Sequence, residues 1–242
     1  MLVNKVSCLK IFSRAGQSID NQIITFHNDN QCVAYKKSSF MTSENSNKSH
    51  PRKDLWIFRR FTHPVYPSIF FGLLGVFLGW LSVQNHPRSP LEILGLWSLG
   101  VFSWTLVEYF LHRHVFHLTQ VKEPWRTLAS GLHMAHHDNP DAKDLIVAPP
   151  LVSIIFGSII YLIFLALTQS FGVSTFLITG LFTGYCTYEW VHYATHQYPM
   201  TSKLSRYIKK YHLQHHHKHP DAGFGVTSPI WDRVFGTFPH NS

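Results

Sequence analysis

LEILGLWSLGVFSWTLVEYFLHRHVFH, residues 91–117, runs twenty-one mostly apolar positions straight into three histidines. About 20 such residues, at 1.5 Å rise each, cross a bilayer core of about 30 Å. A string such as HRHVFH supplies neutral imidazoles, the commonest nitrogen ligands of iron, zinc and copper. Membrane span and metal chemistry therefore meet within one stretch, and both patterns recur along the chain.

Three further apolar segments have the same length: residues 64–84, 149–168 and 172–191. The charges within the four, Glu92, Glu108 and Glu189, lie near segment ends, where burial costs least. Only 14% of residues are charged, and the net charge is +8. A basic balance suits either nucleic acid or an anionic membrane surface. The membrane reading prevails, and no nucleic-acid partner is expected, because the basic residues flank apolar segments instead of forming one patch. Arg52, Lys53, Arg59 and Arg60 precede the first segment, Arg113, Lys122, Arg126 and Lys143 separate the second from the third, and Lys203, Arg206, Lys209 and Lys210 follow the fourth. By the positive-inside rule these regions are cytoplasmic. The expected fold is all-α: a four-span transmembrane helical bundle over residues 51–242, with a cytoplasmic helical cap carrying the histidines. The host membrane would be the endoplasmic reticulum in a eukaryote or the inner membrane in a bacterium.

Residues 1–50 are polar, rich in Ser and Asn, and without sustained period, which reads as a disordered tail. Cys8, Cys32 and Cys186 are too scattered for a disulfide framework or a thiolate metal site. Gly72, Gly75 and Gly79 share one face of the first segment and suggest close helix packing there.

Of the 18 histidines, 13 lie between His112 and His219, in HRHVFH (112–117), HMAHH (133–137), HYATH (192–196) and HLQHHHKH (212–219). His133, His136 and His137 stand at i, i+3 and i+4, as do His212, His215 and His216, so each triplet shares a helix face and is expected to point at a common centre. His192 and His196 are four apart at the end of the fourth segment. The first string is less regular. His112 and His117 diverge by about 140° on an ideal helix and converge only if it kinks or ends between them, while His114 and His117 have the better spacing. Glu108 and Glu189 lie one turn before His112 and His192, where a carboxylate can accept the second N–H of a ligating imidazole. Asp138, Asp141, Asp144 and Asp221 read as turn and capping residues, Arg113 as an interfacial anchor, and His217 and His219 as part of a solvated basic run. Whichever pair of the first string is used, ten imidazoles exceed the four to six ligands of one ion, so two metals are implied. An all-nitrogen set suits iron in an oxygen-activating role; zinc fits the ligands but leaves the membrane setting unexplained.

The four strings, in this order and among four spans, resemble the fatty acid hydroxylase superfamily, and its fatty acid 2-hydroxylase branch most closely. EYFLHRHVFH (108–117), YHLQHH (211–216) and FGVTSPIWDRVFGTFP (224–239) carry the likeness, which runs from about Trp56 to Pro239. The resemblance implies ten ligands: His112, His117, His133, His136, His137, His192, His196, His212, His215 and His216. It also implies O2-dependent hydroxylation of a lipid acyl chain at C-2, on a free fatty acid or a ceramide. Related oxygenases act on sterol, carotenoid or alkane-type substrates, and a metal transporter or store is the non-enzymatic alternative. No HPGG haem-binding string occurs, nor any flavin or nicotinamide fingerprint. Two electrons per turnover are then expected from a separate cytochrome b5-like protein or ferredoxin with its reductase, for which residues 203–210 offer a basic face.

Overall fold

The computed structural model describes residues 22–26, 32–36, 63–118, 122 and 125–239. The chain divides into two units, residues 1–50 and 51–242. In the first, strands β1 (Gln22–Phe26) and β2 (Cys32–Lys36) pair antiparallel, with Gln22 opposite Lys36 and Phe26 opposite Cys32. These ten residues lie within the stretch read as a polar tail. QIITF and CVAYK are rich in β-branched and aromatic residues, which favour a pleated ladder even in a polar setting. The remainder of the expected tail lies outside the described residues.

From residue 63 onward every described element is helical. The long helices are α1 (Val65–Asn85), α2 (Pro90–Leu111), α4 (Pro150–Thr168) and α5 (Phe171–Gln197); α3 (Trp125–Asp138), α6 (Lys203–His217) and α7 (Ile230–Val234) are shorter. Local chemistry sets their starts. Ser89 and Glu92 form a reciprocal capping box at the head of α2, each side chain accepting the other's backbone N–H. Glu92, an imperfection in an apolar span, is thus the residue that begins it. Ser170 caps α5, Ser202 caps α6, and Pro150 occupies the first turn of α4, where its missing N–H costs nothing.

Three stretches, Val65–Asn85, Pro90–Phe116 and Lys143–Thr168, are long and apolar enough to cross a membrane. Leu73, Val76, Leu91, Leu162 and Leu167 stand exposed on them, an outer surface suited to lipid and not to water. The fourth expected span falls on α5, which at 27 residues is about 40 Å long. Its composition is more polar, and it packs against α1, α2 and α4. Ser174, Thr175, Gly180 and Gly184 are buried against protein, where small and polar residues replace an apolar surface. Its Ile178, Leu181, Phe182 and Tyr185 form the core with Phe71 and Trp104.

Close helix packing does not involve the glycines of α1. Gly72 and Gly79 have open space where a Cβ would stand, and Gly75 meets only Thr179 at 3.8 Å. The close approach is between α2 and α5, where a Cβ on Gly100 would strike the Leu177 carbonyl and one on Gly180 the Trp97 carbonyl. An evenly spaced glycine run marks a face, but not which neighbour comes near it.

Candidate metal centre

Four elements deliver imidazoles to one end of the bundle. After Leu111 the backbone of α2 widens into a π-helical turn, His112–Phe116, closed by the His117 N–H donating to the His112 carbonyl at 3.3 Å. An i to i+5 turn is how two residues five apart come to face the same way. The rings of His112 and His117 end 5.0 Å apart, and the divergence expected of an α-helix disappears. His114 instead turns outward, exposed and stacked on Phe110.

The ten expected histidines assemble into two groups. His112, His117, His133, His137 and His215 form the first; His136, His192, His196, His212 and His216 form the second. Within each group one ligand atom per residue lies within 4.8 Å of all the others. The π turn supplies two residues to the first group, and α5 two to the second. Each triplet is divided: α3 sends His133 and His137 one way and His136 the other, while α6 sends His212 and His216 one way and His215 the other. The expectation that a triplet points at one centre is thereby corrected. Residues at i and i+4 differ by about 40° around a helix, but i+3 and i+4 differ by about 100°, enough to address two centres.

The contacts fit a cation at each centre. His133 Nε2 lies 3.0 Å from His112 Nε2, 3.2 Å from His117 Nε2 and 3.0 Å from His137 Nε2. A ring nitrogen carries at most one proton, so hydrogen bonds cannot satisfy three such approaches. Nitrogens bound to one ion at about 2.1 Å and at right angles stand about 3.0 Å apart, which matches. In the second group His212 Nε2 lies 2.9 Å from His196 Nε2 and 3.0 Å from His216 Nε2, and His136 Nε2 lies 3.1 Å from His192 Nε2. Ligation also needs neutral imidazoles. Burial, with neighbouring histidines adding to it, lowers His117 and His136 to about 3 and His137 to about 2, and pulls His133, His212 and His216 well down.

The two expected carboxylates are both buried, and neither meets an imidazole directly. Glu108 accepts the backbone N–H groups of Val226 and Thr227 and the Thr227 hydroxyl. Glu189 accepts the Ala148 N–H at 3.2 Å, while its Oε2 has no partner among the described residues. Arg113, read as an interfacial anchor, donates to the Tyr109 hydroxyl and lies over the Tyr109 and Phe224 rings. Asp138, Asp141 and Asp221 are exposed, and His217 and His219 stand outside both groups. Sequence reasoning passed over Asp232. It is fully buried and accepts the N–H groups of Phe224 and Gly225. Its only sequence signal was its place inside the quoted C-terminal string.

A cavity of about 150 Å³ opens beside the two groups. His112 and His133 of the first and His136 and His192 of the second line it, with Glu108 and Glu189. The rest of its wall is largely apolar, including Trp104, Phe156, Gly157, Ile160 and Phe182 from the long helices.

The chain is similar to proteins of matching chemistry. The fatty acid hydroxylase family profile matches residues 97–237, which include all ten histidines. A dihydroceramide fatty acyl 2-hydroxylase of Arabidopsis thaliana is 38% identical over 189 residues, 77% of this chain and 78% of that protein. A ceramide very long chain fatty acid hydroxylase of Schizosaccharomyces pombe is 38% identical over 57% of this chain and 41% of its own length. For the fatty acid 2-hydroxylase of Homo sapiens the identity is 31%, over 59% and 39%. A solved structure described as full-length scs7p, with only its hydroxylase domain visible, superposes with a TM-score of 0.68 at 32% identity, covering 75% of this chain and 69% of that one. With more than half of its length inside the family profile and relatives at this identity, the chain belongs to the fatty acid hydroxylase family of hydroxylating oxidoreductases.

Proposed function

We propose that the protein hydroxylates the acyl chain of a fatty acid or ceramide at C-2, consuming one O2, two electrons and two protons and releasing one water. The observation that carries this reading is the largely apolar cavity that histidines of both groups also line. The named activities of the plant, yeast and human relatives point to the same substrate class.

In this reading the ten histidines hold two iron ions, with zinc as a possible occupant of the same nitrogen sites. Bound there, the ions supply the activation of dioxygen, for which the side chains alone have no chemistry. The protein's own part is positional. Trp104, Phe156, Ile160 and Phe182 hold the chain and exclude water from the reacting carbon. Buried imidazoles that stay neutral keep their lone pairs available. Glu189, whose unpaired oxygen belongs to a residue of the same wall, and Glu108 tune the site from beside the ligands. The helix α5 forms a fourth span, residues 51–242 form one membrane-integral domain, and the histidines face the cytoplasm, where a cytochrome b5-like or ferredoxin donor with its reductase docks.

Expression of the full chain with an electron donor, followed by mass spectrometry of host lipids, tests the proposal. New 2-hydroxy acyl chains are expected, and they should vanish when His136 and His215 are both changed to alanine. Absence of such lipids from the host expressing the unaltered chain, or their persistence with the double variant, contradicts it.

A further inference from the structure

We propose that loop 222–227 is a clamp on the first histidine group and that Glu108 and Asp232 are its positioning residues; this rests on the reading that the first group binds an ion. His112 Nδ1 donates to the Phe224 carbonyl at 2.5 Å, and His215 Nδ1 donates to the Ala222 carbonyl at 2.8 Å. Each bond fixes the tautomer, leaving the Nε2 lone pair aimed into the group. No loop carbonyl reaches the second group, whose five Nδ1 atoms are buried without a partner among the described residues. The clamp therefore addresses one centre.

Two buried carboxylates hold the loop in that pose. Phe224 and Gly225 give their N–H groups to Asp232 Oδ1 and Oδ2, both at 2.8 Å. Val226 and Thr227 give theirs to Glu108 Oε1, at 2.5 and 2.8 Å, and the Thr227 hydroxyl donates to Glu108 Oε2. Four consecutive amides are thus spoken for. Gly225 admits no side chain here, because a Cβ would strike the Ser228 carbonyl and lie 3.0 Å from Asp232. Gly223 sits at φ 76°, a conformation that other residues rarely adopt.

The arrangement also transmits charge. The Phe224–Gly225 peptide group accepts from His112 through its carbonyl and donates to Asp232 through its N–H. A carboxylate on one side of an amide strengthens the acceptor on the other, since linked hydrogen bonds polarise one another. Asp232, without touching an imidazole, makes His112 a stronger donor to whatever its Nε2 binds. Glu108 reaches the first group by the same loop, not by the direct contact its place before His112 suggests.

The test uses the full chain, metal-loaded in detergent micelles and challenged with excess EDTA, with metal per chain read over time by mass spectrometry. In Thr227→Val and Asp232→Asn, one equivalent should leave about ten- to a hundredfold faster than in wild type while the other keeps its wild-type rate. Thr227→Ser, which retains the hydroxyl, should behave as wild type. Both equivalents leaving faster together, or both unchanged, overturns the clamp. A wild-type chain that holds fewer than two equivalents instead contradicts the two-ion reading beneath it.

Discussion

At the scale of single residues, the centre depends on imidazoles that remain neutral where a free histidine would begin to charge. His136 is 1% exposed and lowered to about 3 by burial, whereas in the unfolded chain it takes up a proton near the ordinary 6.5. Between those values the unfolded state binds more protons, so stability rises with pH and is lost as pH falls. For metal-free protein the thermal midpoint should fall steadily as pH drops below 6.5. His136 alone supplies a slope of about 1.4 kcal/mol per pH unit. A midpoint that rises on acidification would contradict neutral burial. Which residues gather was largely legible, because histidines at i, i+3 and i+4 are rare without a shared task. Their division was not. Spacing reports directions around one helix, while the number of centres depends on how α3 and α6 lie against the π turn and α5. Glu108 was likewise found by position, but its partners lie 118 and 119 residues away, beyond any local pattern.

Among the elements, the π turn and the α2–α5 contact do the placing. HRHVFH reads locally as the end of an α-helix, and nothing in six residues announces a wider turn; only the requirement that His112 and His117 converge hints at it. The contact depends on Gly100 and Gly180, where the backbones come too close for any side chain. Gly180→Leu forces α5 away from α2 and should cost at least about 1–3 kcal/mol, read as a lowered thermal midpoint of the micellar protein. Gly79→Leu, at a position with open space, should leave that midpoint unchanged. Equal effects at both positions would refute this account of the packing.

For the whole molecule, the apolar segments foretold four long helices, since length and hydropathy are local properties: three of them to within a residue at each end, while α5 runs six residues beyond its segment. They did not foretell that one of the four would pack against all three others. Burial over most of its surface lets α5 carry Ser, Thr and Gly where it meets its neighbours and two histidines at its end, while Thr183, Thr187 and Trp190 form an exposed stripe. The apolar cavity joins that helix to the two histidine groups, and from this follows the central claim that O2 is spent on a hydrocarbon held within the bundle. The most direct measurement is turnover of a fatty acyl substrate by the purified, iron-loaded chain under 18O2 with an electron donor, with the product analysed by mass spectrometry. A single 18O atom is expected in the product, carried as a hydroxyl on C-2. A hydroxyl whose oxygen comes from water, or oxidation at another carbon, would contradict it.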